Sequence, residues 1–166
     1  MIIRNYKQDD KEQLNSVAVK AFTQFKDQYN DWDRIYSAVG KMSSLAASSD
    51  LIVAEDCGEI IGGVALIPPG GSSSGYFDPT WASIRMLVVS PEQRGKGVGK
   101  KLTVECINRA IKSGVKVVSL HTSPIMEVAL SMYLRMGFVK VKNIEAICGV
   151  EYAVYKLEVE GNNQVS

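Results

Sequence analysis

At 166 residues, with a formal net charge of +1, 46% hydrophobic and 22% charged residues, the chain has ordinary globular composition and the length of one domain with a substantial core. A balance this close to neutral argues against broad electrostatic attraction to nucleic acid or acidic membrane and leaves only local basic patches. Cys57, Cys106 and Cys148 are odd in number and widely spaced, and the single His121 cannot complete a Cys/His zinc set, so no metal site is expected and the thiols read as reduced and mostly buried. With no apolar leader and no long apolar run, the expected location is the cytoplasm, away from membranes.

Met1 to Tyr6 reads as a short strand. Asp9 or Asp10 suits an N-cap for a helix whose Leu14, Val17, Ala18, Ala21 and Phe22 share one face as far as about Phe25. A second helix is expected from Asp31 or Asp33, carrying Trp32, Ile35, Tyr36, Val39, Met42 and Leu45 to about Ser48, weakened at Gly40. Leu51–Glu55 and Ile60–Ile67 form a hairpin through the tight turn Asp56-Cys57-Gly58. Pro68 to Pro79 is a loop by composition, a long hairpin excursion rather than an interdomain linker, leading to a strand from about Trp81 to Val89.

A glycine-rich turn follows, then an amphipathic helix with Leu102, Cys106, Ile107, Ala110 and Ile111, stopped by Ser113-Gly114. Val115 to Leu120 is an apolar strand, and Pro124 is expected to open a helix running through Met126, Ala129, Leu130, Tyr133 and Met136 to Gly137. Phe138–Val141 and Glu151–Val159 close the chain as strands. The order β-α-α-β-β-β-α-β-α-β-β predicts an α/β fold: a mixed, mostly antiparallel, twisted sheet of about seven strands flanked by about four helices, in one domain over residues 1–166.

The stretch Met86 to Lys101 carries the chemistry. Gly95, Gly97 and Gly99 remove side chains where a strand gives way to a helix, so backbone N–H groups can converge on an anion. The helix start adds unpaired N–H groups and the positive end of a dipole, and Arg94, Lys96, Lys100 and Lys101 add full charges. A phosphate loop of the G-x-x-x-x-G-K-[ST] kind does not fit, because Lys100 is followed by Lys101 and Lys96 by Gly97. The dinucleotide pattern G-x-G-x-x-G fails as well, with Lys100 or Leu102 where its third glycine belongs.

What remains is R-x-x-G-x-G at Arg94, Gly97 and Gly99, which resembles the acyl-CoA signature of the GNAT superfamily, the Gcn-related N-acetyltransferases. A second pattern, Ala129-Leu130-Ser131-Met132-Tyr133-Leu134-Arg135-Met136-Gly137-Phe138, is similar to that family's A-x-x-(apolar)-Y-x-(basic)-x-G-F helix. The element order agrees too. The resemblance implies transfer of an acetyl group from acetyl-CoA directly to an amine, without a metal. It implies that the pyrophosphate lies in the N–H nest of Arg94, Gly95, Lys96, Gly97, Val98, Gly99 and Lys100, and that the strand around Leu87, Val88 and Val89 splays from its neighbour to pair with the pantetheine arm. Tyr133 falls in the general-acid slot. Many relatives have Asn where this chain has Met126, so Thr122 or Ser123 is the nearest polar replacement.

His121, ending a strand near the expected acceptor position, is the candidate general base, with Glu92 and Asp78 or water as alternatives. The acceptor side is expected at residues 22–36 and 68–81, where Phe25, Tyr29, Trp32, Tyr36, Tyr76, Phe77 and Trp81 gather. A small-molecule amine, an amino acid and a peptide N-terminus all stay open as acceptors, as does homodimerisation, which is common in the family. Nucleic acid is not an expected partner. A non-catalytic acyl-CoA sensor is the alternative reading.

Overall fold

The structure is a computed structural model describing residues 1–71 and 75–159; the middle of the Gly-Ser loop and the polar C-terminal end lie outside the described residues. The chain folds as β1 (Ile2–Asn5), α1 (Lys11–Thr23), α2 (Trp32–Val39), β2 (Asp50–Asp56), β3 (Glu59–Ile67), β4 (Ala82–Val89), α3 (Val98–Lys112), β5 (Val117–Thr122), α4 (Glu127–Arg135), β6 (Val139–Ile147) and β7 (Val150–Glu158). The seven strands form one sheet in the order β1-β2-β3-β4-β5-β7-β6. Every neighbouring pair is antiparallel except β4 and β5, which α3 connects by a crossover, as parallel strands require. The expected element order and mixed sheet hold.

Helices cover both faces. On one, Leu14, Val17 and Ala18 of α1 pack on Val53, Ala65 and Val88; on the other, Val98, Leu102, Cys106 and Ile107 of α3 and Tyr133 of α4 pack on Ile52, Val64, Ile84 and Leu120. Adjacent glycines in β3 permit this close double approach. A Cβ at Gly62 would stand 2.9 Å from the Val88 carbonyl oxygen and 3.2 Å from both Leu102 Cδ1 and Val98 Cγ1, and one at Gly63 would stand 2.6 Å from Leu14 Cδ1. A third cluster joins Tyr29 and the α2 residues Ile35 and Val39 to Val150 and Tyr152 of β7.

Local structure departs from the sequence reading where a side chain finds a better partner. Instead of continuing through Leu45, α2 stops at Val39, and Met42–Ala47 forms a 3₁₀ turn. Asn15 pins that turn to α1, donating to Ser43 Oγ (2.9 Å) and accepting from the Ser43 amide (2.8 Å). Asp10 does not cap α1 with its side chain. Its carboxylate takes two N–H bonds from Arg4 (2.8 and 2.9 Å) and one from the Lys7 amide (2.8 Å), and Arg4 holds it below the usual carboxylate range. Pro124 does not open α4, which starts at Glu127 after a turn closed by the Met126 amide on the Ser123 carbonyl (3.0 Å).

The last hairpin is longer than the apolar pattern implies. β6 extends to Ile147, and Cys148 (φ 46°) and Gly149 (φ 80°) turn it into β7 just as Cys57 (φ 50°) and Gly58 (φ 80°) turn β2 into β3. Paired positive φ angles are the mark of the type I′ hairpin. The polar run Lys140, Lys142, Asn143 and Glu145 hides the strand because β6 is an exposed sheet edge, where charges oppose edge-to-edge pairing. Gly62→Ala is expected to cost about 1–3 kcal/mol by overpacking, read as a lower urea midpoint at unchanged slope; an unchanged midpoint would contradict the close helix–strand approach.

Candidate active site

The site begins where the sheet comes apart. β4 and β5 pair only at Ala82–Val118 and Ser83–Ser119, a junction closed by the hydroxyls of Ser83 and Ser119 at 3.0 Å. Beyond Ser83 the ladder with β5 ends. On its other edge β4 keeps β3, but Gly63 pairs with Val88 while Ala65 pairs with Arg85, so one β3 residue opposes two of β4. Met86 adopts φ 58° in this bulge, a left-handed conformation uncommon for a side-chain-bearing residue. The β4 segment after Ser83 therefore presents a main-chain edge that β5 does not take, and it contains the expected residues Leu87, Val88 and Val89. Val88 packs toward α1, whereas Leu87 and Val89 pack in the cluster of α3 and α4.

The same strand feeds the glycine turn. Pro91–Gln93 makes one 3₁₀ turn, and Gly95 (φ 77°) and Gly97 (φ 80°) then take left-handed angles, Gly97 standing as the N-cap of α3. The first bond of the helix is Lys101 N–H to the Gly97 carbonyl at 3.1 Å, which leaves the N–H groups of Val98, Gly99 and Lys100 ahead of it without helical acceptors. A Cβ at Gly95 or Gly97 would meet nothing within 4 Å, so the space before the turn is open. Gly99 differs from the sequence expectation. It lies inside the helix, and a Cβ there would make ordinary contacts with Val89 (3.7 Å) and Leu87 (3.8 Å).

Arg94, Lys96 and Lys100 are all exposed around this turn. Arg94 also donates to the Ala21 carbonyl in the last turn of α1 (3.4 Å), and Lys96 to Gln93 Oε1 (3.3 Å).

The two faces of the parted sheet differ in chemistry. On the α3/α4 face Tyr133 is 5% exposed, its ring 5.5 Å from that of Phe138, and burial pushes its phenol well above the ordinary value. Burial does the same to the fully enclosed Cys106 thiol, which makes it inert as a nucleophile. Met126 receives a weak hydrogen bond on sulfur from Thr122 Oγ1 (3.7 Å), and Ser123 Oγ accepts from the Ile125 amide (3.3 Å). Both hydroxyls proposed to replace the missing asparagine are thus engaged locally.

On the α1/α2 face a cavity of about 190 Å³ opens beside the junction, lined by Tyr76, Phe77, Ser83, Arg85, His121 and Ile147 among others. His121 stands within an aromatic group: ring centroids lie 5.8 Å from Tyr76, 6.0 Å from Phe77 and 5.6 Å from Tyr152. Its Nδ1 is buried without a hydrogen-bond partner. Burial, with the nearby Arg85 charge, pushes its pKa down to about 4. Tyr152, which sequence reading did not single out, is held by a buried hydroxyl contact with Tyr29; a β7 tyrosine gives no sign from the sequence of which neighbour it meets.

The other base candidates are drawn away from that role, since Glu92 accepts from Ser90 Oγ and Asp78 from Thr80, and these hydrogen bonds lower both carboxyl pKa values. Among the described residues no group of three His, Cys, Asp or Glu side chains is placed to hold a metal, and no helix is long and apolar enough to cross a membrane.

The chain resembles known proteins over most of its length. The family model described as Acetyltransferase (GNAT) family matches residues 11–138, and the chain belongs to that family. A protein of Escherichia coli K12 named as an uncharacterized N-acetyltransferase, YjgM, is 31% identical over 86 residues, 52% of this chain and 48% of that protein; the chain thus spans about half the length of this curated relative. Among solved structures, a GNAT family acetyltransferase from Brucella melitensis in complex with acetyl-CoA superposes at TM-score 0.60, with 22% identity, over 98% of this chain and 90% of that one. The PaiA N-acetyltransferase of Thermoplasma acidophilum in complex with coenzyme A does so at 0.68, with 19% identity, over 95% and 98%.

His121 is the one histidine in the chain, so its titration can be followed without assignment ambiguity. Its imidazole NMR signals are expected to titrate near pH 4. Because the unfolded imidazole binds its proton near 6.5, the unfolded state holds more protons between those values, and stability should fall by up to about 3 kcal/mol as pH drops from 6.5 to 4. A titration midpoint near 6.5 would contradict the burial of Nδ1 without a partner.

Proposed function

We propose that this protein is an N-acetyltransferase that moves an acetyl group from acetyl-CoA directly to a primary amine of a small molecule, amino acid or peptide, in the cytoplasm. The observation carrying this reading is the continuity of the open β4 edge with the bare N–H groups before α3. A diphosphate needs clustered donors, and a pantetheine arm needs strand-like amide partners. Both stand end to end on one stretch, Leu87 to Lys100. Three free cysteines fit the proposed compartment.

Acetyl-CoA supplies the acetyl group as an activated thioester. The turn from Arg94 to Lys100 binds the diphosphate through its N–H groups, with Lys96 and Lys100 adding charge. The edge at Leu87 and Val89 holds the arm extended, and an N–H of the bulged segment polarises the thioester carbonyl. A neutral amine then attacks that carbon. A new C–N bond forms, the C–S bond breaks, and two protons must be placed.

The Tyr133 hydroxyl gives its proton to the departing thiolate and regains one from solvent. Burial keeps the phenol protonated, and the same dry surroundings raise the basicity of the thiolate generated beside it, so the proton moves between groups of comparable strength. On the acceptor side, His121 is uncharged across the neutral range. It accepts a hydrogen bond from the amine and passes the surplus proton to solvent through the cavity, because an imidazole of such low basicity does not keep it.

Tyr133→Phe is expected to lower turnover by roughly 10²–10⁴-fold while acetyl-CoA affinity stays within about twofold, measured by thiol release and by calorimetry; full turnover would remove Tyr133 from the chemistry. Gly97→Val places a branched side chain at φ 80° in front of the N–H nest and is expected to abolish measurable coenzyme binding, with retained binding contradicting the cradle.

A further inference from the structure

Next to the junction of β4 and β5, the cavity has a composition that restricts the acceptor. It is lined by apolar or aromatic side chains at Ile67, Tyr76, Phe77 and Ile147 and by Ser83, whose hydroxyl lies 3.0 Å from that of Ser119. Among the described residues Arg85 brings the only full charge to the lining, since His121 is neutral. Among the described residues this guanidinium has no ion-pair or hydrogen-bond partner, and no carboxylate lines the cavity.

Arg85 is exposed and, like Arg34, Arg94 and Arg135, has no carboxylate partner among the described residues, whereas two other arginines do. Arg4 is held by Asp10 and Glu55, and Arg109 by Glu105 and Asp50. Arg85 precedes the bulge residue Met86 and lies two residues before Leu87 in β4. Its side chain is thus carried by the strand whose edge is assigned to the thioester arm.

Resting on the acetyltransferase reading, we propose that the acceptor is a free amino acid with an apolar or aromatic side chain, whose carboxylate is bound by Arg85 and whose side chain fills the cavity between Tyr76, Phe77 and Ile147. A planar guanidinium takes a carboxylate through two parallel N–H bonds. A second positive charge on the acceptor, as in a diamine, meets repulsion with nothing to offset it. The volume of about 190 Å³ equals about six waters at roughly 30 Å³ each and lies below the roughly 300–1,000 Å³ of pockets for drug-sized ligands. It accommodates one amino-acid-sized group. In a free amino acid the carboxylate lies one carbon from the amine, whereas in a peptide N-terminus that position is a neutral amide.

The test is thiol release from acetyl-CoA with matched acceptors: phenylalanine against phenylalaninamide, leucine against leucinamide, and cadaverine as the dication. The wild-type protein is expected to favour each free acid over its amide by roughly tenfold or more in kcat/KM, mainly through KM, as a charge-assisted pair predicts. Arg85→Gln should bring the acid-to-amide ratio close to one, and Arg85→Lys should keep part of it, which a general loss of folding would not do. Amine-dependent release with no preference for the acid, or with cadaverine preferred, overturns this inference and leaves the acetyltransferase reading standing. Absence of release with every amine, while acetyl-CoA binding persists, overturns both.

Discussion

The parting of β4 from β5 is the constraint on which the rest of the site depends. Two parallel strands that stayed paired would use up each other's main-chain groups, and the centre of the sheet would offer nothing to a ligand. Here the ladder stops after Ser83 and Ser119, and a bulge at Met86 bends β4 at that point. An unpaired edge in the middle of a sheet is tolerable only if the strand bearing it is held from elsewhere. Gly62 and Gly63 serve this need by letting α3 and α1 close on β3 from opposite faces, while β3 keeps its ladder with β4. The rigid part of the molecule is thus assembled on one side of the split, and the open edge is its by-product.

The split also divides two chemistries. Tyr133 lies among the side chains of α3 and α4, and His121 among aromatic rings on the α1/α2 face. Burial acts on them in opposite directions on the pKa scale but to one end: it disfavours charge, so the phenol keeps its proton and the imidazole stays without one. Around neutral pH the two faces next to the split therefore hold these two titratable groups uncharged, and the fixed charges sit at the glycine turn and at Arg85.

Much of the fold was legible because its signals are local. The turn at Cys57-Gly58, the glycine stop after α3, and the strand-glycine-helix run from Met86 each depend on residues adjacent in the chain. The resemblance added the roles of Arg94 to Lys100 and of Tyr133, which spacing alone does not provide. What stayed hidden depends on distant partners. The Asn15–Ser43 pair fixes the turn after α2, the polar edge strand β6 lacks an apolar face, and Asp10 turns from capping to bind Arg4.

The bulge at Met86 was invisible for the same reason, since a methionine carries no preference for a left-handed angle and is placed there by the register of β3 against β4. The cavity beside His121 is likewise tertiary. Tyr76 and Phe77, Arg85, and Ile147 come from three separate segments, and no motif links them.

Amide hydrogen exchange on the full chain, with and without coenzyme A, tests the central claim most directly. If the open edge and the helix start form one binding surface, added coenzyme A should slow exchange at the amides of Leu87 to Val89 and of Gly95 to Lys100, with little change on the outer strands β1 and β6. Unchanged exchange along that stretch under saturating coenzyme, or protection confined to another part of the sheet, would contradict it.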